Sequence, residues 1–458
     1  MGQTNLASTD ASIIERQSFA MNIVHITAGA GGMFCGICLR DNALVGALRK
    51  LGHHATMIPL YLPLTLDEED QSAGTPIFFS GINVYLEQKS ALFREAPDWF
   101  RHLLAARPLL KWVGAKAAKT RPEDLGDLTL SMLRGEDGFQ SRELDELITW
   151  LRTQSKPDVV CLSNALLVGL ARKIKTELGT PVVCMLQGEV DYLDALLPEY
   201  RTQCWKTLSE RAKDVDLFGA ASRYFGDLMS KRMNLTADRL KVVYSGINLD
   251  GFSDSQPICS ATGTSAPVLG YFARMCPEKG LDTLVDAYIQ LRQRDRIQGL
   301  HLRIGGGCGA GDEEFVNAMR QRLSESGYLK EVEFFPNLDR PAKVKFLQSL
   351  SIFSVPARCT EAFGLYAIEA MAAGVPVVQP CTGAFPEIIE ATGGGITYEG
   401  DSNALAVALE QLLSDPERAR ALGRAGKRAA LEKFSAEAMS RSVLDFYQEA
   451  VSSPAPAA

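Results

Sequence analysis

Short apolar runs recur along the chain, separated by stretches whose apolar residues follow helical spacing. The first run, residues 21–29 (MNIVHITAG), is β-rich and ends in glycine. A loop with Gly29, Gly31 and Gly32 follows, then a helical pattern from Asp41 to Leu51 that stops at Gly52, then a second strand in HHATMIPLY. Strand, glycine loop, helix and strand open a βαβ unit. The alternation continues with strands in 157–164 (PDVVCLSN), 181–188 (PVVCMLQG) and 241–248 (KVVYSGIN). A helix follows in ALLVGLARKIKTEL, and DLFGAASRYFGDLMSKRM reads as strand then helix. Strands apolar at every position are buried on both faces, as in a parallel sheet covered by helices.

Residues 251–267 (GFSDSQPICSATGTSAP) break the pattern with Gly, Ser and Pro and read as a linker. A second strand series then begins: 268–274, 300–307, 332–337, 350–356 and 376–380, with helices between. The pattern predicts an α/β chain of two doubly wound parallel-sheet domains, 21–250 and 268–435, with a last helix over 436–451. Residues 1–20 read as a disordered leader and 452–458 as a disordered tail.

Composition narrows the function classes. The 458 residues carry a net charge of −7, which argues against a general nucleic-acid binder, since that needs a basic surface. Ten cysteines are scattered, several within apolar strands, as buried thiols of a reducing, cytoplasmic setting are. No apolar run reaches the length of roughly 20 residues that crosses a membrane.

The sharpest chemistry lies in 359–378 (CTEAFGLYAIEAMAAGVPVV). Glu361 precedes Phe363, Gly364 and Leu365, where a helix starts, and Glu369 falls inside that helix. A helix N-terminus offers unpaired N–H groups, and Gly364 lets a phosphate approach them. Glu361 has lone pairs for sugar hydroxyls and Glu369 for a ribose diol. In 270–288, Arg274 ends a strand and Lys279 opens a helix, two cations placed to meet a diphosphate.

Together these segments resemble the E-x-F-G-x-x-x-x-E and G-R-x-x-x-x-K-G signatures of retaining GT-B glycosyltransferases, family 4 in particular. Gly306 in IGGGCG and the 382–387 turn (TGAFPE) resemble two further loops of that family. The resemblance implies a GT-B fold whose domains face a cleft. It implies retaining, metal-independent transfer of a hexosyl group from a nucleotide-diphosphate sugar to a hydroxyl of a sugar, lipid or small-molecule acceptor, with no further cofactor. Glu361, Arg274 and Lys279 would act at the reacting centre. Glu369, Gly364, Phe363, Leu365 and Gly306 would hold the donor, with Gly31 and Gly32 facing it from the first domain. The alternatives on one architecture are a nucleotide-sugar epimerase and a non-catalytic sugar-nucleotide-binding subunit.

The first domain departs from the family at one point. Many members carry a histidine after the strand matching PVVCML; here Gln187, Gly188 and Glu189 stand, and Gln187 and Glu189 are the acceptor candidates. Cys35-Gly36-Ile37-Cys38 has the C-x-x-C form, but no second pair or histidine pair completes a metal site, and it reads as a tight loop before a helix. Residues 101–121 hold six Lys/Arg and no acid; with Trp99 and Phe100 beside them, 99–121 is a candidate peripheral membrane contact, or a basic helical face.

Overall fold

The computed structural model describes residues 20–29, 35–80, 83, 84, 86, 88, 122–252 and 266–452. Gly31, Gly32, the basic stretch 99–121, most of the 251–267 linker and the two termini lie outside the described residues.

The first domain runs β1 (Asn22–Thr27), α1 (Gly36–Lys50), β2 (His54–Pro59), α2 (Gly126–Arg134), α3 (Ser141–Thr153), β3 (Val159–Leu162), α4 (Ala171–Leu178), β4 (Val182–Leu186), α5 (Glu189–Asp194), α6 (Pro198–Arg211), β5 (Leu217–Ala220), α7 (Arg223–Met233) and β6 (Leu240–Val242). The second runs β7 (Val268–Phe272), α8 (Leu281–Arg294), β8 (His301–Gly306), α9 (Glu313–Glu325), β9 (Val332–Pro336), α10 (Arg340–Gln348), β10 (Ile352–Phe353), α11 (Leu365–Ala372), β11 (Val377–Pro380), α12 (Phe385–Thr392), β12 (Gly395–Tyr398), α13 (Ser402–Leu413), α14 (Pro416–Lys433) and α15 (Ala436–Ser452).

Both sheets are six-stranded and parallel, in the orders β2-β1-β3-β4-β5-β6 and β12-β11-β10-β7-β8-β9. This is the GT-B architecture of two Rossmann-like domains. Each sheet reverses its winding once, between β1 and β3 and between β7 and β10. The crevice at the C-terminal strand ends beside such a reversal is where ligands bind in open α/β sheets.

The first sheet shows why its strands read as apolar runs. In β1, Val24 and Ile26 face one core with Ile58, Leu162 and Leu186, while Ile23 faces the other with Leu44, Met57 and Val159. The helix α15 closes that second face: Met439, Val443 and Tyr447 share its core with Leu44 and Val159, so the chain's last helix packs on the first domain.

Two boundaries and one strand differ from what the pattern predicts. Helix α1 starts at Gly36, one turn before Asp41, because Cys35 in extended conformation caps it and its carbonyl accepts from the Leu39 amide at 3.0 Å. The run 241–248 leaves the sheet after Val242; the amide of Ile247 donates to the Phe434 carbonyl at 2.9 Å, so this segment pairs with the turn before α15. Strand β12 was not anticipated, because Gly395, Ile396 and Thr397 give too short an apolar signal beside Gly393 and Gly394.

Candidate active site

A cavity of about 500 Å³ opens between the domains at the C-terminal edge of the second sheet. From the second domain come Arg274 after β7, Gly306 and Gly307 after β8, Arg340 and Lys343 on α10, and Leu365, Tyr366 and Glu369 on α11. Cys35, Gly36 and Arg40 of α1, with Asp67 and Glu68 after β2, form the facing wall.

The turn into α11 depends on Gly364, which has φ +86° and caps the helix; a Cβ there would lie 2.8 Å from Phe385 Cε1. The helix thus starts abruptly and leaves its first amides beside the cavity. At Gly306, with φ +125°, a Cβ would lie 1.9 Å from the Ala273 carbonyl oxygen, so only glycine lets β8 end against the β7 loop.

Lys279 and Glu361 form an ion pair at 2.7 Å, and the Tyr366 hydroxyl donates to the same Glu361 oxygen at 2.6 Å. Burial alone would raise the Glu361 pKa, but the Lys279 ammonium prevails and holds it below the usual carboxylate range. Burial likewise opposes the Lys279 charge, and Glu361 reverses that, raising the amine. Tyr366 lines the cavity, so the pair reaches it through the phenol. Arg274, half-exposed on the cavity wall, is held by both oxygens of buried Asp312, at 2.9 to 3.2 Å.

Glu369 does not stand alone. Lys343 Nζ lies 3.0 Å from Glu369 Oε1 and 2.7 Å from Asp67 Oδ2, so one ammonium is shared by a carboxylate from each domain. Beside it, Arg340 donates to Glu68 at 2.7 Å and to the carbonyls of Asn248 and Asp250. The loop holding Glu361 is pinned by the first domain as well. Asp191 accepts from the Thr360 amide at 2.9 Å, and Ser222 Oγ donates to the Ala362 carbonyl at 2.7 Å. Glu387, from the TGAFPE turn, caps the start of α7: it accepts from the amides of Arg223 and Tyr224 and from the Tyr244 hydroxyl at 2.7 Å.

The structure therefore gathers Arg274, Gly306, Leu365 and Glu369 around one cavity, while Lys279 and Glu361 stand outside its lining and are joined to it through Tyr366. Phe363 is a correction: its ring is buried against Tyr244 and Phe434, because the residue before Gly364 points into the core, and the segment reaches the cavity only from Leu365 onward. Gln187 and Glu189 are corrected too. The Gln187 amide donates to the Ser163 carbonyl at 2.6 Å and to Asp41 at 3.3 Å. Glu189 is 3% exposed and accepts from the amides of Ala165, Gln187 and Gly188, so it ties the loop before its helix to the segment after β3 instead of lining the cavity. Asp67, Glu68, Asp312, Arg340, Lys343 and Tyr366 belong to the site and carried no local sequence signal; each is an ordinary polar residue on a loop or helix.

Residues 260–429 match the family model of glycosyl transferases group 1. The segment with Arg274, Lys279, Glu361 and Glu369 lies inside that match, which bears out the resemblance read from it. The chain is 27% identical over 252 residues to a GDP-mannose-dependent alpha-(1-6)-phosphatidylinositol monomannoside mannosyltransferase of Mycolicibacterium smegmatis, covering 52% of this chain and 63% of that protein. The chain thus spans under two thirds of this curated relative. Among solved structures, a sucrose-phosphate synthase from Thermosynechococcus elongatus superposes with a TM-score of 0.68 at 20% identity, over 93% of this chain and 98% of that one. Anabaena Alr3699/HepE in complex with UDP superposes with a TM-score of 0.65 at 16% identity, over 94% and 100%. These two share the fold. No described helix is long and apolar enough to cross a membrane.

Proposed function

We propose that this chain is a glycosyltransferase that moves a hexosyl group from a nucleotide-diphosphate sugar to a hydroxyl of a sugar, lipid or small-molecule acceptor. The anomeric configuration is retained and no metal takes part. The observation that carries the reading is the single cavity in which a cation, Arg274, a glycine-capped helix start, Leu365, and a carboxylate, Glu369, converge at the sheet's C-terminal edge.

The donor lies with its diphosphate against Arg274 and the first amides of α11, and its ribose diol on Glu369. As the glycosidic bond breaks, negative charge grows on the diphosphate, and cations already fixed in place stabilise it without reorganising. Asp312 fixes Arg274 for that task. Lys279, charged beside Glu361, adds a second cation, and Glu361 positions the sugar hydroxyls. The acceptor enters from the first-domain wall, and water is excluded there so that transfer outruns hydrolysis.

Nucleoside diphosphate release, measured with and without sugar acceptors, tests the reading. A transferase releases diphosphate faster with an acceptor. An epimerase converts the donor without one, and a binding subunit does neither. Glu369→Ala removes charge-assisted hydrogen bonds worth about 1.5–3 kcal/mol and weakens nucleotide binding by roughly one to two orders of magnitude. Glu361→Ala lowers turnover with little change in binding. Unchanged kinetics in both variants would overturn the assignment.

A further inference from the structure

The C-x-x-C pair does not lie in an inert loop. Cys35 is the cap of α1 and Cys38 lies in its first turn, so the two thiols sit at the exposed-amide end of a helix, three residues apart. Residues at that spacing share one helix face, with Cβ atoms about 5–6 Å apart, and Cys35, being extended and outside the helix, is free to close the remaining gap to the roughly 3.5–4.5 Å that a disulfide spans. Cys35 and Gly36 line the cavity that Glu369 and Arg274 line. A Cβ placed on Gly36 would meet Leu365 Cδ1 at 3.8 Å, so the segment between the thiols touches the first residue of α11.

The chemistry of Cys35 agrees with this placement. The Cys38 thiol beside it, with the amides of Cys38 and Ile37, brings it down to about 7 against the effect of burial. A thiol that titrates near ambient pH is the most effective attacker of disulfides. Cys359, 3.3 Å from Lys279 Nζ and outside the cavity lining, is instead pushed up by burial, as are Cys184, Cys204 and Cys276. An oxidant reaching the cavity therefore meets one activated thiol with a second thiol beside it.

We propose that Cys35 and Cys38 form a redox-active dithiol in the wall of the donor cavity, oxidised by a small-molecule disulfide such as oxidised glutathione, and that its oxidation state sets the affinity of the cavity for nucleotide. The Cys35 thiolate attacks one sulfur of the small disulfide and expels the other as a thiol. The Cys38 thiolate then attacks the mixed disulfide at Cys35 and expels the second thiol. Two protein thiols and one disulfide become one protein disulfide and two small thiols, with the two protons passing to the leaving thiolates. Drawing Cys35 onto Cys38 moves the cavity wall that faces Leu365, so the cavity that holds nucleotide changes shape. Linkage makes the effect reciprocal: bound nucleotide changes the ease of oxidation by the same factor. The last step rests on the proposed function; the thiol chemistry does not.

The test uses the full-length reduced protein. Alkylation by iodoacetamide is followed at each cysteine by peptide mass spectrometry across pH, and the protein is then equilibrated with oxidised glutathione. The expected result is that Cys35 alkylates with a midpoint near pH 7, well before the buried thiols, and that the glutathione-treated protein carries a Cys35–Cys38 disulfide that dithiothreitol removes. Cys38→Ser should stop the reaction at a stable glutathione adduct on Cys35. The reduced and oxidised forms should differ in affinity for UDP or GDP by calorimetry. A Cys35 midpoint at the ordinary thiol value, or no disulfide under glutathione, overturns the dithiol. Equal nucleotide affinity in the two forms overturns its coupling to the cavity. Failure of the proposed function has a different signature: the disulfide still forms, but neither form binds UDP or GDP.

Discussion

Lys343→Met tests whether the site is held by the ammonium shared between domains. The side chains of Lys343, Asp67 and Glu369 are 5%, 4% and 17% exposed, and the two contacts are 2.7 and 3.0 Å. Methionine keeps most of the side-chain length, so little packing is lost, but two buried carboxylates are left facing each other without a cation. Removing one partner of a buried ion pair costs about 3–5 kcal/mol. In the wild type, burial opposes the Lys343 charge and the carboxylates of Glu369 and Asp67 more than restore it, so its pKa is raised. That contribution is complete below the ordinary lysine value of about 10.4 and is lost only as pH rises through the folded value, so it is flat between pH 5 and 8. Urea unfolding followed by circular dichroism at pH 8 measures this, taking the first transition because two domains need not unfold together. The expected loss is about 3–5 kcal/mol at pH 8, and adding Asp67→Asn should recover most of it. A loss under about 1 kcal/mol at pH 8, or no recovery on adding Asp67→Asn, would refute the reasoning, since a surface pair contributes no more than that.

Three further outcomes follow from the same structure. Gly364→Ala forces a left-handed conformation costing about 1–2 kcal/mol and presses on Phe385, adding about 1–3 kcal/mol; thermal unfolding should show the loss, with nucleotide affinity falling as the helix start shifts. Glu387→Gln loses the charge from a cap that receives three donors, a loss of about 1–2 kcal/mol in urea unfolding, whereas an unchanged midpoint would mean the domains do not depend on it. Burial works against a charged His25, but Asp41 at 3.3 Å prevails and raises its pKa to about 10. Its stabilisation is therefore complete below the unfolded value of about 6.5 and fades as pH rises toward 10. His25→Gln should flatten that decline between pH 6.5 and 10 in urea midpoints, and an equally steep decline in the variant would remove His25 as its cause.

What could be read from the chain was what is encoded locally. Strands such as β3 and β4 were legible because every position is buried. The Glu361 to Glu369 segment was legible because a turn, a glycine and a helix start lie within nine residues of one another. Polar residues whose partners lie far off were not. Arg340 and Glu68 are 272 positions apart, and nothing near either suggests the other. The acidic loop after β4 misled in the opposite direction. A Gln and a Glu on a short loop suggest solvent-facing ligands, yet three loop amides needed an acceptor, and Glu189 supplies it from inside. His25 and Asp41 are similar: a histidine inside an apolar strand gains meaning only from α1 packed above it.

The contacts between the domains are of two physical kinds, and the division bears on function. Apolar contact is made by α15, which follows the second domain in sequence and fills the core of the first, and by Phe363 and Phe434 against Tyr244. The contacts around the cavity are polar: Asp67 and Glu68 on α10, Asp191 and Ser222 on the Glu361 loop, and Glu387 on α7. Polar contacts are the kind that domains exchange when they move, because each partner can take water instead. Lys343 stands where the two demands meet. Its ammonium neutralises Asp67 of one domain and Glu369 of the other, so a ligand that draws on Glu369 changes the charge balance at the contact with Asp67. On the proposed function, donor binding and domain contact share one cation, and the Lys343→Met variant should alter both together. Loss of stability without any change in nucleotide affinity would separate them.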